Sequence, residues 1–452
     1  MFFDFHEFEG AMALSAIDGD WSYARLFTSS EEIAAAVRPR SLVFLFVRNV
    51  LSAIVGYVGF LNHGIVPVMM DASIAPDLRM NLMELYRPSY LWLPEELAGD
   101  FAAFAPILHK GSYVLLDTGE QTPYPLHEDL ALLMTTSGST GSPKLVRQSY
   151  DNLKANTESI VQYLDLHEDE RAVTNLPLHY VYGLSVLNTH LAVGASVVVT
   201  EKTLFDRSFW QLMREQEVTS LSGVPYTYAM LKRLRFFRMD LPALRTLTQA
   251  GGKLDPELHA AFADYAAQTG KEFVVMYGAA EATARMGYLP PQYALEKVGA
   301  MGVAIPGGRF ELIDEAGKEI TDTDTVGELV YYGANVTLGY AMSGADLVRG
   351  DERHGRYETG DLAQRDNDGF YTVVGRKRRF LKMFGKRTNL QEVEHILRQH
   401  FGEIEIACAG IDDNLYIFVT QEQLVPEIVP FLSAKLGLHH SAFTARCIAE
   451  IP

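Results

Sequence analysis

Short apolar segments with the character of buried strands alternate along this chain with longer helical segments. Ser41–Val47, Ile65–Met70 and Leu130–Thr135 are strand segments of this kind, and helical segments follow the first two. Two later strand segments, Thr246–Thr248 and Phe273–Met276, each end in a loop that contains glycine. This alternation predicts an α/β fold with largely parallel sheets. Because ligands bind such sheets at the loops that leave the carboxyl ends of strands, we expect functional residues in those loops.

The character of the sequence changes after about Ala300. Residues 302–340 are rich in Gly, Val and Tyr, which predicts antiparallel β-structure and a small barrel. A basic run at 376–379 follows, and beyond it a short β–α–β pattern. We predict a large N-terminal domain of stacked α/β sheets over residues 1–376, with a β-barrel subdomain at about 300–375, and a small α+β C-terminal domain over 377–452. A chain of 452 residues is long enough for two or three such units.

Charge and composition exclude several classes of function. The net charge is −18, whereas nucleic-acid binding needs a basic stripe, so no nucleic-acid partner is expected. The two cysteines, Cys408 and Cys447, give no disulfide framework, and no zinc-ligand spacing is present. The apolar stretch Leu42–Leu61 is about long enough to span a membrane, but Arg48 and Asn49 interrupt it, so a buried strand, a turn and a packed helix explain it better. The acidic N-terminus lacks the basic region of a signal peptide, and we predict a cytoplasmic protein.

A loop rich in Ser, Thr and Gly, with the sequence TTSGSTGSPK over residues 135–144, follows one of the apolar strands. It is predicted to lead into a helix. Gly138 and Gly141 permit positive φ, so that successive N–H groups converge on an anion, and Lys144 supplies a charge. A polar surface turn is the alternative, but the Pro-Lys ending after a buried strand favours a phosphate-binding loop. The P-loop, dinucleotide-binding and nucleophile-elbow patterns are all absent, which weakens the ATPase, dehydrogenase and hydrolase interpretations.

This loop resembles the [ST]-S-G-[ST]-T-G-x-P-K motif of the acyl-adenylate-forming superfamily, which comprises acyl-CoA synthetases, carrier-protein adenylation domains and luciferases. Further family motifs are matched in the same order over nearly the whole chain, at Leu61–Pro67, Pro177–Gly183, Tyr277–Glu281, Gly327–Leu329 with Gly339-Tyr340, Tyr357–Asp361, and Gly375-Arg376 with Lys382 and Gly385–Arg387. The resemblance implies that ATP activates a carboxylic acid as an acyl-adenylate with release of pyrophosphate. The acyl group would then pass to a pantetheine thiol, on coenzyme A or on an acyl carrier protein.

The resemblance also implies a role for each matched residue. Glu281 would hold Mg²⁺ on the triphosphate, Asp361 would accept hydrogen bonds from the ribose hydroxyls, and Arg376 would contact ribose or phosphate. Tyr277 would stack on adenine, and His179 would line and gate the carboxylate pocket unless it is an ordinary core histidine. The residues predicted to bind ATP are Thr136, Ser137, Gly138, Ser139, Thr140, Gly141, Lys144, Gly251, Gly252, Tyr277, Gly278, Ala279, Asp361 and Arg376. Those predicted to be catalytic are Thr136, Lys144, His179, Glu281 and Arg376.

Three departures from the family pattern bear on activity. Ala280 replaces the threonine that usually precedes the magnesium glutamate, and Thr283 is a candidate to supply the missing hydroxyl. Arg378 stands where many members carry the hinge aspartate about which their small domain rotates. The sequence ends at Pro452, before the P-x-x-x-x-G-K segment whose lysine assists adenylation. We therefore expect a truncated, mobile lid domain and slow adenylate formation unless a Gly-Lys tail is restored.

The acid itself is constrained by what is missing from its predicted pocket. In relatives that activate amino acids, an aspartate near the His179–Tyr180 position binds the α-ammonium, whereas residues 176–190 here contain no acidic residue. A simple, aryl or fatty acid is therefore favoured over an α-amino acid. The candidate pocket walls, which could equally be core, are His179, Tyr180, Val224, Tyr228, Ala250, Met276, Ala279 and Met286. An amine acceptor, an amino-acid-activating carrier-protein ligase, a catalytically weak nucleotide-binding homologue and a luciferase-type oxygenase stay open, as does the oligomeric state.

Overall fold

The computed structural model describes residues 2–17, 19–121, 124–135, 144–376, 380–384, 386–402, 404–449 and 451. These residues form two compact units. The larger unit contains the described residues up to 135, together with 144–359 and 363–373, and the smaller contains 360–362 and those from 374 onward. Residues 377–379, part of the predicted domain boundary, lie outside the described residues, and the domain limits stay predictions.

The described strands, in chain order, are β1 (Met12–Ala16), β2 (Gly19–Ser22), β3 (Leu42–Val47), β4 (Val66–Asp71), β5 (Tyr90–Pro94), β6 (Ala105–Lys110), β7 (Tyr113–Asp117), β8 (Leu130–Thr135), β9 (Leu145–Ser149), β10 (Arg171–Val173), β11 (Ser196–Val198), β12 (Ser220–Gly223), β13 (Thr246–Gln249), β14 (Glu272–Tyr277), β15 (Gly287–Leu289), β16 (Val303–Ala304), β17 (Arg309–Ile313), β18 (Gly327–Tyr332), β19 (Gly339–Ala341), β20 (Arg356–Arg365), β21 (Tyr371–Arg376), β22 (Phe380–Met383), β23 (Lys386–Asn389), β24 (Ile406–Ile411), β25 (Asn414–Val419) and β26 (Phe443–Cys447). The described α-helices are α1 (Tyr23–Ala35), α2 (Leu51–Asn62), α3 (Pro76–Tyr86), α4 (Tyr150–Leu164), α5 (Val181–Ala192), α6 (Arg207–Glu215), α7 (Pro225–Arg233), α8 (Pro256–Thr269), α9 (Leu390–Phe401) and α10 (Val425–Leu436).

One sheet of the larger unit has nine strands in the order β16-β15-β14-β13-β12-β10-β11-β1-β2. The six strands from β14 to β1 run parallel, and β15, β16 and β2 join them antiparallel at the edges. A parallel sheet needs helices over its faces because its strands are buried on both sides. Helices α6, α7 and α8 contribute Phe209, Tyr228 and Phe262 to one core cluster with the strand residues Leu247 and Phe273.

The second large sheet has eight strands in the order β19-β9-β8-β4-β3-β5-β7-β6, with β8, β4, β3 and β5 parallel. Strand β3 and the buried helix α2 account for the apolar stretch 42–61, so its interpretation as a strand, a turn and a packed helix is confirmed. Gly59 of α2 lies against the carbonyl of Ser30 in α1, where a Cβ would be 2.4 Å from the oxygen. Across the described residues, no helix combines the length and the apolar character needed to cross a bilayer.

The helix predicted to follow the phosphate loop is present as α4, but a strand that was not predicted, β9, lies between the loop and this helix. Strand β9 pairs antiparallel with β8 on one side and with β19 on the other, where Val146 lies opposite Tyr340. Helix α4 begins only at Tyr150. Its start is set by a reciprocal cap in which the Ser149 hydroxyl accepts from the Asn152 N–H and the Asn152 side chain accepts from the Ser149 N–H.

The predicted small barrel takes the form of a four-stranded sheet in the order β17-β18-β20-β21. Its buried residues Phe310, Leu329 and Tyr331 join Met286 in one core cluster. The smaller unit contains a three-stranded sheet, β24-β25-β26, and a core cluster to which α9 and α10 both contribute. The predicted fold class, a large part built on mixed α/β sheets followed by a small α+β part, is confirmed.

Candidate active site

The candidate site begins at the loop that follows β14. Gly278 lies so close to the returning chain that a Cβ would be 1.9 Å from the carbonyl oxygen of Ala284, so only glycine fits there. A short 3₁₀ turn, Ala280–Ala282, comes next and carries Glu281, whose residue is 8% exposed. A carboxylate is thus held in a largely buried place at the carboxyl end of a central strand.

Two residues from the β-rich part of the larger unit fix this loop. Asn335 donates through Nδ2 to the carbonyls of Ala282 at 2.9 Å and Arg285 at 2.8 Å. Thr337 donates its backbone N–H and its hydroxyl, both at 3.0 Å, to the carbonyl of Glu281. The hydroxyl of Thr283, predicted as a replacement for the one missing just before the glutamate, donates instead to the Asn335 carbonyl at 2.7 Å. These bonds also maintain the φ of +64° at Thr283, a strained value for a β-branched residue.

The side chain of Glu281 meets Tyr340, whose ring is contacted by two cations. The Tyr340 hydroxyl donates to Glu281 Oε1 at 2.5 Å. Lys144 Nζ lies 3.6 Å from the centre of the Tyr340 ring, and the Arg353 guanidinium carbon lies 4.7 Å from it. Arg353 Nη1 also donates to the Glu281 carbonyl at 3.4 Å. The structure therefore brings two predicted catalytic residues, Lys144 and Glu281, to one tyrosine.

The electrostatics of this cluster suit an anionic ligand. Burial raises the pKa of Tyr340, and the neighbouring Glu281 raises it further, so the hydroxyl stays protonated and donates to the carboxylate. Lys144 and Arg353 add two positive charges beside it, and charged donors form the strongest hydrogen bonds with phosphate oxygens. The described residues contain no cluster of three or more His, Cys, Asp or Glu side chains that could hold a metal ion by themselves. A single buried carboxylate fits Mg²⁺, which proteins commonly bind through one or two carboxylates together with the phosphates of a substrate.

Only the end of the predicted phosphate loop can be compared with this cluster. Lys144 is described, but its companions Thr136, Ser137, Gly138, Ser139, Thr140 and Gly141 lie outside the described residues. Their contacts with a nucleotide stay predictions.

The predicted glycines Gly251 and Gly252 lie in the loop after β13. Gly251 has a φ of +79°, and a Cβ there would be 2.7 Å from the Tyr180 hydroxyl and 3.1 Å from Val224 Cγ1. Gln249 Nε2 donates to the Gly252 carbonyl at 2.8 Å and holds the loop in this shape. Residues predicted separately for the nucleotide and for the acid therefore lie in contact.

His179 and Tyr180 lie just before α5. Gly183 lets the first turn of α5 approach the preceding segment, since a Cβ there would be 2.3 Å from the Pro177 carbonyl oxygen. His179 Nε2 lies 3.6 Å from Asp71 Oδ2 at the end of β4, and the side chain is 25% exposed. Burial lowers the pKa of His179 by more than Asp71 raises it, so the ring is neutral near pH 7.

The other predicted pocket residues divide among three core clusters. The first contains Ala250 and Met276 with Tyr182, and Tyr180 and Val224 pack against it. Tyr228 belongs to a second cluster, and its hydroxyl donates to the Thr248 carbonyl at 2.8 Å. Met286 belongs to the third cluster, together with residues of the β-rich part. Ala279 and Tyr277 pack against this third cluster. The structure thus gathers Tyr180, Val224, Ala250 and Met276, and places Tyr228 and Met286 in separate clusters.

Sequence reasoning missed two basic residues and gave Tyr340 no role. Arg285, which is 3% exposed, lies with its guanidinium carbon 3.8 Å from the centre of the Tyr182 ring. A basic residue within the mostly apolar segment that follows Glu281 was a signal for it. Arg353 gave no signal, because the charged run around it is typical of an exposed loop.

The smaller unit brings together the two residues predicted to bind ribose. Arg376 Nε lies 2.8 Å from Asp361 Oδ1, and Asp361 is 5% exposed. Their binding of ribose stays a prediction.

Comparison with known proteins adds an independent result. A family model described as AMP-binding enzyme matches residues 5–341. A sulfoacetate–CoA ligase from Cupriavidus necator is 30% identical over 378 residues, covering 83% of this chain and 71% of that protein. A 2-succinylbenzoate–CoA ligase from Bacillus pumilus is 26% identical over 432 residues, covering 92% and 86%. The structure of the amide bond synthetase McbA from Marinactinospora thermotolerans superposes with a TM-score of 0.79 at 20% identity, covering 99% of this chain and 95% of that one, and so shares the fold. These matches confirm the resemblance found in the sequence.

Proposed function

The chain belongs to the AMP-binding enzyme family, and from this premise we propose that it joins a carboxylic acid to the thiol of coenzyme A through an acyl-adenylate. The general chemistry predicted from the sequence, ATP-dependent activation of a carboxylic acid by an AMP-forming acid–thiol ligase, is confirmed by the family match and by the relatives named as CoA ligases. Those names support coenzyme A as the acceptor. A carrier-protein thiol and an amine stay alternative acceptors, and the cytoplasmic location stays a prediction.

The proposal for the site rests on one observation. Lys144, Glu281 and Arg353 all contact Tyr340. Adenylation requires positive charge where pyrophosphate departs, and little covalent help from the protein. We assign Lys144 and Arg353 to the phosphate oxygens. Glu281, oriented by the Tyr340 hydroxyl, is the protein ligand for Mg²⁺, which when bound would neutralise charge on the triphosphate.

The reaction follows from these positions. An oxygen of the acid's carboxylate attacks the α-phosphorus, the bond from that phosphorus to the bridging oxygen breaks, and pyrophosphate leaves with the oxygen. The protein holds the reactants in line, which by itself removes a large entropic part of the barrier. Neutral His179 is proposed to gate the acid's entry, and Asp361 with Arg376 to bind the ribose. In the second step a thiolate sulfur attacks the acyl carbon, and AMP leaves.

The acid is proposed to lack an α-ammonium group. Gly251, Tyr180 and Val224 are in contact where relatives that use amino acids are expected to place an aspartate. None of these three residues carries a carboxylate, and the Asp71 carboxylate faces His179 instead, so a buried α-ammonium would be unfavourable there. The two relatives named above act on acids, sulfoacetate and 2-succinylbenzoate, that each carry a second anionic group.

A hydroxamate-trapping screen over simple, aryl, dicarboxylic and amino acids tests the proposal, with AMP and pyrophosphate measured in parallel. We expect AMP formation that depends on a non-amino acid, and a loss of at least about 100-fold in Glu281→Gln. Glu311→Gln, which changes a glutamate paired with Arg309 on β17, is the matched control and should keep the wild-type rate. Full activity in Glu281→Gln, or ADP as the product, would contradict the proposal. The absence of AMP with every acid would favour the catalytically weak homologue, and light emission or oxygen uptake would favour the oxygenase.

A further inference from the structure

Arg285 is a buried cation, and in the part of the chain that the structure describes no carboxylate pairs with it. It is 3% exposed. Its side chain hydrogen-bonds to Met276 Sδ through Nε at 3.4 Å, to the Ala284 carbonyl through Nη1 at 3.3 Å, and to the Tyr163 hydroxyl. A guanidinium has five N–H donors, and these three partners are all neutral, so none of them balances its charge.

The surroundings of Arg285 are neutral. Its guanidinium lies over the Tyr182 ring, and it is close enough to Tyr163 and Tyr180 to lower the pKa of both hydroxyls, although burial raises each of them more. All three tyrosines are therefore uncharged at pH 7. Stacking on an aromatic ring compensates only part of the loss of hydration of a buried cation. The site is arranged to receive a negative charge that no described residue supplies.

Arg285 also lies beside the proposed acid pocket. It contacts Met276, which shares a core cluster with Ala250, and it faces Tyr180, which touches Gly251. It is four residues beyond Glu281 in the same rigid loop. An anion bound to Arg285 would therefore belong to the acid that occupies this pocket.

A small cavity that Arg285 helps to line is not suited to that anion. It measures about 20 Å³, room for about one water molecule, and is lined by His190, Ser222, Thr248 and Arg285. His190 Nδ1 lies 2.8 Å from the Val186 carbonyl and so donates to it, which leaves Nε2 as an acceptor, and no described residue donates to Nε2. An acceptor nitrogen suits a water or a hydroxyl and repels an oxyanion. We therefore place the anion away from this cavity, on the side of Arg285 that interacts with Tyr180.

We propose that Arg285 binds a second oxyanion of the substrate, so that the enzyme selects acids that carry a distal carboxylate or sulfonate in addition to the carboxylate that is activated. This inference rests on the proposed function and narrows its substrate class. Arg285 contacts the substrate away from the reacting atoms, so it acts on specificity and leaves the chemical step to the cluster at Tyr340.

Matched pairs of acids test it. Succinate, glutarate, phthalate and sulfoacetate are each compared with an isostere that lacks the second charge, the monomethyl ester or the methyl sulfone. We expect wild-type kcat/KM, measured by pyrophosphate release, to be at least about tenfold higher for the best dianion than for its isostere. Arg285→Met should lower kcat/KM for that dianion about 30-fold or more, through KM, and leave the isostere within about threefold. Arg285→Lys should keep part of the preference, and the carboxylate and sulfonate pairs show which oxyanion fits.

Arg79→Met is the matched control, because Arg79 is also buried but pairs with Asp100 on the surface of the same unit. It should leave the preference for dianions unchanged. Equal loss for both members of a pair in Arg285→Met, or no wild-type preference, would overturn the inference and leave the proposed function standing.

Thermal denaturation shows whether Arg285 binds a dianion even if the proposed activity is absent. If a dianionic acid raises the melting temperature of the wild-type protein but not of Arg285→Met, while no acid supports AMP formation, the inference holds and the proposed function fails. If Arg285→Met does not fold, the inference is decided by Arg285→Lys and by the wild-type kcat/KM of each dianion relative to its isostere.

Discussion

Replacing Tyr340 by Phe tests how the Glu281 carboxylate is oriented. The change removes one hydroxyl that donates to Glu281 Oε1 at 2.5 Å, and it keeps the ring on which Lys144 and Arg353 lie. A hydrogen bond to a charged group contributes about 1.5–3 kcal/mol. If that bond positions the carboxylate for Mg²⁺ and ATP, kcat/KM for ATP should fall roughly 10- to 150-fold. The Mg²⁺ concentration at half-maximal rate should rise as well, because a rotated carboxylate is a poorer ligand.

The assay is AMP formation at fixed acid and varied Mg²⁺, with Tyr23→Phe as the matched control. Tyr23 is fully buried, and its hydroxyl donates to the Ala195 carbonyl at 2.6 Å, far along the chain from the site. Tyr23→Phe should lose about 1 kcal/mol of unfolding free energy and Tyr340→Phe about 1.5–3 kcal/mol, but only Tyr340→Phe should change the Mg²⁺ dependence. Equal effects of the two variants on activity, or a wild-type Mg²⁺ profile in Tyr340→Phe, would refute the reasoning.

Three further predictions concern charge, backbone packing and acid stability. Arg353→Met should raise KM for ATP about tenfold, since one charged phosphate contact contributes about 1.4 kcal/mol, and steady-state kinetics would show it. Gly278→Ala forces a Cβ to 1.9 Å from a carbonyl oxygen, and in urea titrations it should lower the unfolding free energy by about 1–3 kcal/mol. Gly99→Ala is the control, because its Cβ would meet open space, and it should not lower the unfolding free energy. Burial lowers the pKa of His259, whose Nδ1 accepts from the Gly299 N–H. The unfolded chain therefore takes up this proton first, near pH 6.5, stability falls as the pH drops from about 7 to 5, and His259→Gln should make that fall shallower.

Strands that consist of one continuous apolar run could be predicted from the sequence. All six residues of β3 are buried, as are the first five of β8, and such runs are visible without any knowledge of their partners. Strand β9 was not predictable in this way. Its sequence, LVRQS, contains three polar residues, and it is buried only because β8 and β19 cover both of its edges. That pairing joins residues almost 200 positions apart, which no local pattern contains.

The same limit applies to the site. Motifs identified Lys144 and Glu281 one at a time. Their meeting at Tyr340 depends on the pairing of β9 with β19, so only the folded chain reveals it. Arg285 is similar, because an unpaired buried charge is a property of the environment and not of the sequence around it.

The most direct test of the central claim is the fate of a carboxylate oxygen. The best acid from the screen, labelled with ¹⁸O in its carboxyl group, is incubated with the wild-type protein, ATP, Mg²⁺ and coenzyme A, and the AMP is analysed by mass spectrometry. Activation through an acyl-adenylate predicts one ¹⁸O in the phosphate of every AMP formed. Label in inorganic phosphate, or AMP without label, would contradict it.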